Sequence, residues 1–143
     1  MYNIIVKKFG QPDKLEYQKL EHKELGKNDV KIKVNYAGVN FADILTIKGK
    51  YQERPRPPFS PGLEVSGIVL EVGTASKRIK VNDRVMAIMK YGGYKELVIV
   101  PEENVYKIPK NMSLRIAGGF PVAYGTAFSS LVEKGNIKKN DVC

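Results

Sequence analysis

The sequence holds a single cysteine, Cys143, a single histidine, His22, and no tryptophan. One thiol excludes a disulfide within the chain. A structural zinc site needs about four Cys or His ligands, and a catalytic one about three His, Cys or carboxylate ligands. An imidazole or thiolate site of either kind therefore cannot be assembled from this chain alone, and His22, in the charged stretch LEHKELGKND, reads as a solvated surface residue. Long apolar runs are missing too. None approaches the roughly 20 residues that span a bilayer, and the start, MYNIIVKKFG, lacks the apolar core and small-residue cleavage site of a secretory leader. The expectation is a cytoplasmic, soluble protein that does not engage membranes. Acidic charge is in deficit, with 24 Lys and Arg against 15 Asp and Glu and a net charge of +9. That excess is dispersed. Lys alternates with Glu and apolar residues along KLEYQKLEHKELGKNDVKIKVNY, as on the wet face of strands, whereas a nucleic-acid surface would cluster basic residues with interleaved aromatics. Lys77, Arg78, Lys80 and Arg84 come nearest to such a cluster. Nucleic acid is not an expected partner.

What is present is a series of short strand patterns. The chain of 143 residues is of one-domain size and buries roughly 68% of its extended-chain surface on folding. YNIIVKKF and LEYQKL are short and charge-broken. VKIKVNYAGV alternates, so Val30, Ile32, Val34 and Tyr36 are expected on one face. LEVSGIVLEVG, RVMAIM, YKELVIV and NVYKI follow, separated by Gly26-Lys27-Asn28-Asp29, Gly73-Thr74, Asn82-Asp83, Gly92-Gly93 and Pro101. Many short strands with frequent turns predict a mainly β fold, a barrel or sandwich. FADILTIK interrupts them as a short helix with Asn40 at its N-cap. The Pro-rich segment 53–62 predicts a stiff extended loop leading into the strand near Leu63. From Ser113 the pattern changes to helices: SLRIAGGF capped by Ser113, then PVAYGTAFSSLVEK with Pro121 in the first turn and Gly135 as C-cap. The second of these has small residues about four apart on neighbouring ridges, a face suited to close packing. NIKKNDVC then predicts the beginning of a strand.

Taken together, AGVNFADILTIKGKY, PFSPGLEVSGIVLEVG, IKVNDRVMAI, GGYKELVIVPEENVYKIP and FPVAYGTAFSSL resemble a quinone oxidoreductase of the zinc-independent branch of the medium-chain dehydrogenase/reductases. The match runs in order from about residue 2 to residue 142. The resemblance implies a GroES-like β-barrel over 1–112. It implies connecting helices over 113–143, with a C-terminal helix that leads into a Rossmann domain of which only the start is present. Zinc-containing relatives have a metal-binding Cys at the position of Asn40 and a metal-binding His at that of Leu63, together with a Cys-rich lobe. None of these occurs here, so no metal is expected and no Lewis acid to activate an alcohol.

Members of this branch pass a hydride from NADPH to a quinone or an activated alkene. Such acceptors are already electrophilic, so the site has to orient two partners, exclude water and donate hydrogen bonds to the developing oxyanion. By resemblance Asn40 stands beside the nicotinamide, Tyr51 is the substrate-side hydrogen-bond donor or proton source, and Asp43 fixes the turn. Thr126 approaches the carboxamide of the cofactor with Tyr124 as its neighbour. Each residue also has a simpler reading: capping for Asn40, structural support for Asp43, loop packing for Tyr51 and helix packing for Thr126. Arg54 and Arg56 flank the same region, and exposed Arg is ordinarily surface.

The sequence contains no Gly-rich phosphate-binding turn; AGGF does not join a strand to a helix inside a βαβ unit. Cofactor affinity in such folds rests mainly on that turn, so this chain alone is expected to bind NADPH weakly or not at all and to be inactive as a reductase. It is expected to be the product of a split or decaying gene, or a piece of a full enzyme. A separately encoded Rossmann half is the partner this implies, and with the helix from Pro121 uncovered the chain is expected either to dimerise or to keep that C-terminal helix mobile. Two other readings stay open: a non-catalytic barrel remnant acting as a binding or assembly module, and an enoyl-CoA thioester as the acceptor.

Overall fold

The computed structural model describes residues 1–19 and 24–142. His22, Cys143 and Leu20, at the end of an expected strand, lie outside the described residues. Two antiparallel sheets form the body. β1 (Tyr2–Ile5) pairs with β2 (Glu16–Lys19). β3 (Asp29–Ala37), β4 (Glu64–Val72), β5 (Arg84–Ile88), β6 (Leu97–Pro101) and β7 (Val105–Lys107) make the larger sheet, in the order β6-β3-β4-β5-β7. Isolated bridges Asn3–Lys95 and Val6–Phe59 tie the small sheet to the connections of the large one. The sheet curls into a half-barrel with short helices, the mainly β architecture that the strand patterns predict.

The core explains the curl. Val30 and Ile32 from β3, Val65 and Val69 from β4, Val85 and Ala87 from β5, Val98 and Val100 from β6 and Val105 from β7 form one buried cluster. Burying each Val or Ile stabilises the fold by roughly 1.5–3 kcal/mol, and β-branched side chains suit the pleated surface. A second cluster of Val6, Ile47 and Phe59, backed by Phe9 and Leu15, fastens the helix α1 (Phe41–Ile47) beneath the small sheet.

Three expectations are corrected. The alternation in β3 puts Val30, Ile32, Val34 and Tyr36 on one face, yet Tyr36 is 47% exposed. The register slips there: Val34 pairs with Gly67, but Tyr36 pairs with the adjoining Ser66. Asn35 is thus an extra residue, and a bulge re-aims the side chains beyond it. Gly67 is required at this crossing, because a Cβ would lie 1.9 Å from the carbonyl oxygen of Lys33. Second, PVAYGTAFSSLVEK is not α-helical throughout. The helix α3 (Pro121–Phe128) passes into a π-helical turn, Ser129–Lys134. Gly135 does cap it, but at φ −78°, and the left-handed position falls to Asn136 at φ 48°. Third, the strand expected in NIKKNDVC does not form over 136–142. Asn136 and Asn140 both have positive φ, Ile137 N–H turns back to the carbonyl of Leu131 at 3.0 Å, and Asp141 accepts from Lys138 N–H at 2.7 Å. Asn tolerates the left-handed region and favours such local turns, which breaks the extended run.

α2 (Leu114–Ala117) follows its sequence signal. Ser113 Oγ accepts from Ile116 N–H at 3.2 Å as the N-cap, and Ser66 Oγ from β4 donates to Leu114 O at 2.5 Å. The helix is thereby fixed to the sheet, which sets where α3 begins.

A candidate active-site cleft beside the barrel

The connection from β3 into α1 carries the first residues of the site. Asn40 and Asp43 stand at N-cap and N3 of α1, the spacing of a capping box. Asp43, 2% exposed, gathers three donors from separate parts of the chain. Its Oδ2 accepts from Asn40 N–H at 2.8 Å and from the Tyr94 hydroxyl at 2.9 Å, and its Oδ1 accepts from Gly62 N–H at 3.1 Å. Burial and the nearby Asp43 carboxylate push the Tyr94 phenol far above its usual range, so it stays protonated as a donor. In this arrangement Asp43 ties the start of α1 to the segment before β4 and to the chain before β6.

Glu64 makes a second tie. It opens β4, is 1% exposed, and uses both carboxylate oxygens: Oε1 accepts from Asn40 Nδ2 at 2.9 Å and Oε2 from Val122 N–H at 2.9 Å. The latter is one of the free N–H groups of the first turn of α3, where a carboxylate also meets the positive end of the helix dipole. Gly38 leaves the room, since a Cβ there would stand 2.3 Å from Glu64 Oε1. One of the two N–H donors of the Asn40 amide is thus engaged by Glu64.

Between the barrel and α3 runs a cleft of about 460 Å³. Leu63, Ile88, Met89 and Val122 line it, and Tyr51 and Thr126 also border it. Neither the Tyr51 nor the Thr126 hydroxyl has a hydrogen-bond partner among the described residues. A Cβ on Gly125 would meet nothing within 4 Å, so this wall is open. Lys90 and Glu53 form an ion pair at the edge, Nζ to Oε1 2.8 Å, which raises the Lys90 pKa. An apolar slot with two unengaged hydroxyls suits a flat carbonyl-bearing ring and fits a nicotinamide carboxamide equally well. Among the described residues no group of three His, Cys, Asp or Glu side chains could hold a metal ion.

The residues singled out from the sequence separate into three places. Tyr51 and Thr126 share the cleft. Asn40 and Asp43 stand behind it, and Asn40 reaches its α3 wall through Glu64. Tyr124 lies elsewhere: it stacks on Phe120 with centroids 4.4 Å apart and borders an apolar groove with Phe128, Leu131 and Ile137. Two residues along a helix turn the side chain about 200°, so Tyr124 and Thr126 cannot face the same way. Sequence reasoning missed Glu64 and Tyr94. The available signal for Glu64 was an acid inside the apolar run GLEVSGIV, where a charge is tolerated only with partners.

Comparison with known proteins places this geometry. Residues 26–110 match the family model for the alcohol dehydrogenase GroES-like domain. Mouse quinone oxidoreductase-like protein 2 is 39% identical over 127 residues, which cover 89% of this chain and 36% of that protein. The crystal structure of the human synaptic vesicle membrane protein VAT-1 homolog-like protein superposes with a TM-score of 0.94 at 36% identity, over 97% of this chain and 45% of that one. Escherichia coli quinone oxidoreductase complexed with NADPH gives a TM-score of 0.92 at 25% identity, over 99% of this chain and 43% of that one. The chain therefore spans less than half the length of these relatives. No helix among the described residues is long and apolar enough to cross a membrane.

Proposed function

The chain belongs to the family of alcohol dehydrogenase GroES-like domains, among the medium-chain dehydrogenase/reductases, and from that premise we propose that it is the substrate-side domain of an NADPH-dependent quinone or enone oxidoreductase. The observation that carries the reading is the cleft itself: Tyr51 and Thr126 border one apolar slot beside α3, with hydroxyls unengaged among the described residues. NADPH, when bound, supplies the hydride. The residues of this chain orient and shield. Thr126 donates to or accepts from the carboxamide, Tyr51 hydrogen-bonds the acceptor carbonyl and stabilises its developing oxyanion, and Leu63, Ile88 and Met89 keep water out. Asn40 and Glu64 act on the position of α3, so the Thr126 wall is held by a buried carboxylate rather than by loop packing. Asn40 and Leu63 stand where zinc-containing relatives have ligands, and neither is a zinc ligand, so the acceptor has to be electrophilic without a Lewis acid.

The rest of the grip on the cofactor, a Gly-rich turn at a helix N-terminus, is not in this sequence. A nucleotide-binding half docks against α3 in this reading, covering the groove of about 550 Å³ bordered by Phe120, Tyr124, Phe128 and Leu131; without it, the exposed groove drives dimerisation. NADPH fluorescence titration tests the reading. The chain alone should show no saturable micromolar binding, and addition of a Rossmann half from a full-length relative should restore quinone-dependent NADPH oxidation. Micromolar binding to the chain alone, or no activity with any quinone, enone or enoyl thioester after the halves associate, would overturn it. A second reading, a non-catalytic binding or assembly module, draws on the VAT-1-like relative, whose name states no enzymatic activity; association without oxidation of NADPH would favour it.

A further inference from the structure

A second cavity, separate in chemistry from the cleft, opens on the other side of the loop that carries Met89 and Lys90. It has a volume of about 650 Å³. Ile5, Phe59, Leu97, Val98 and Val100 supply its apolar surface, and Asn3, Gln18, Ser60 and Asn104 its neutral polar groups. Its charged lining is cationic only: Lys95 and Lys90, with no Asp or Glu among the described residues that line it. The two lysines differ. Lys90 is exposed and already paired with Glu53 at 2.8 Å. Lys95 is half-buried, is fixed by its backbone bridge to Asn3, and its ammonium has neither a hydrogen bond nor an ion pair among the described residues. Burial lowers its pKa, the direction expected when a cation loses water and gains no counter-charge.

A partly desolvated ammonium without a partner is costly, and a carboxylate brought to it forms a short, charge-assisted bond. The aliphatic and aromatic floor beside it favours an apolar body on that carboxylate. From this juxtaposition we infer that the cavity is a binding site for a small amphipathic carboxylate, held head-first by Lys95 with its apolar tail along Ile5, Phe59 and Leu97. The proposed hydride chemistry gives no role to Lys95, Ile5, Phe59 or Leu97, so the inference stands independently of that reading.

Sodium octanoate, titrated into the purified chain and followed by backbone amide chemical shifts, tests the site, with n-octanol as the uncharged control of equal length. Saturable shifts should centre on residues 3–5, 95–100 and 59–60 and leave Tyr51 and Thr126 unmoved. Lys95→Met, which keeps the aliphatic stem, should weaken octanoate at least tenfold and leave octanol unchanged. Lys95→Arg should retain binding within about threefold, since the charge remains, and Lys90→Met within about twofold, since Lys90 answers to Glu53. The inference fails if octanoate gives no saturable shift by 5 mM, if octanol binds as tightly as octanoate, if Lys95→Met binds like the wild type, or if Lys90→Met rather than Lys95→Met abolishes binding. Far-UV circular dichroism of each variant shows that the fold is kept.

Discussion

Replacing Asp43 by Asn tests how much of the site's shape rests on one buried carboxylate. Asp43 accepts three hydrogen bonds, two on Oδ2 and one on Oδ1, and is 2% exposed, so solvent cannot replace them. Asn keeps the volume and one acceptor. If its oxygen takes the Oδ2 position, the amide nitrogen faces Gly62 N–H, and a buried donor is orphaned at a cost of about 1–3 kcal/mol. The bonds from Asn40 N–H and Tyr94 lose their charge assistance, which weakens each by roughly 1 kcal/mol. Relief of the carboxylate's desolvation offsets part of this, leaving a net loss of about 3 kcal/mol. With an m-value near ~2 kcal/mol per molar urea for a domain of this size, the midpoint should fall by about 1.5 M. Tyr94→Phe deletes one of the same bonds and should cost about 1 kcal/mol. Because the two changes share a bond, the double variant should be less destabilised than the sum of the singles, by roughly 0.5–1 kcal/mol. An Asp43→Asn midpoint within about 0.3 M of the wild type, or strict additivity with Tyr94→Phe, would refute the claim that Asp43 is the tie between α1, Gly62 and Tyr94.

Glu64→Gln keeps one acceptor and loses the charge at the α3 N-terminus; hydrogen exchange at the Val122 amide should accelerate at least tenfold, and an unchanged rate would show that α3 is held by other contacts. Gly67→Ala places a methyl 1.9 Å from Lys33 O and should cost about 3 kcal/mol or more by forcing β3 from β4, read as a lowered thermal midpoint. Glu102 accepts from Ser76 Oγ and from the N–H groups of Ile79, Arg78 and Lys77, which hold its carboxyl down at about 2 from the ordinary 4.5. Its folded pKa is depressed, so its contribution is complete above about pH 4.5 and is lost as the pH falls towards 2. Glu102→Gln should therefore flatten the acid limb of the stability curve between those values, measured by urea midpoints at successive pH. In an enzyme reconstituted with a nucleotide-binding half, Thr126→Val should raise the KM for NADPH, and Tyr51→Phe should lower kcat for quinones; equal loss of both parameters in both variants would point to disturbed packing.

The local grammar of this chain was readable without its fold. Alternation in VKIKVNYAGV, the Asn40 and Ser113 caps, Pro121 in a first turn and the run of turn residues all depend on neighbours a few positions apart, and they yielded the mainly β architecture and its short helices. Residue resemblance added the family and, with it, Asn40, Asp43, Tyr51, Tyr124 and Thr126 as site candidates, of which Tyr51 and Thr126 share the cleft. What could not be read were pairings across the sequence. Asn40 meets Glu64 across 24 residues, Asp43 meets Tyr94 across 51, and Glu64 meets Val122 across 58; no periodicity reports such distances. The bulge at Asn35 was hidden for the same reason, since the slip that exposes Tyr36 belongs to the pairing of two strands and not to either alone. Tyr124 lies two positions before Thr126 in the chain yet faces away from it, because two steps along a helix turn a side chain by about 200°. Composition and short-range pattern indicated most of the strands and short helices, and one Cys with one His cannot by themselves build a Cys–His zinc site. Tertiary packing alone decided that two buried carboxylates connect the barrel to α3, because a desolvated charge is stable only where the fold brings donors to it.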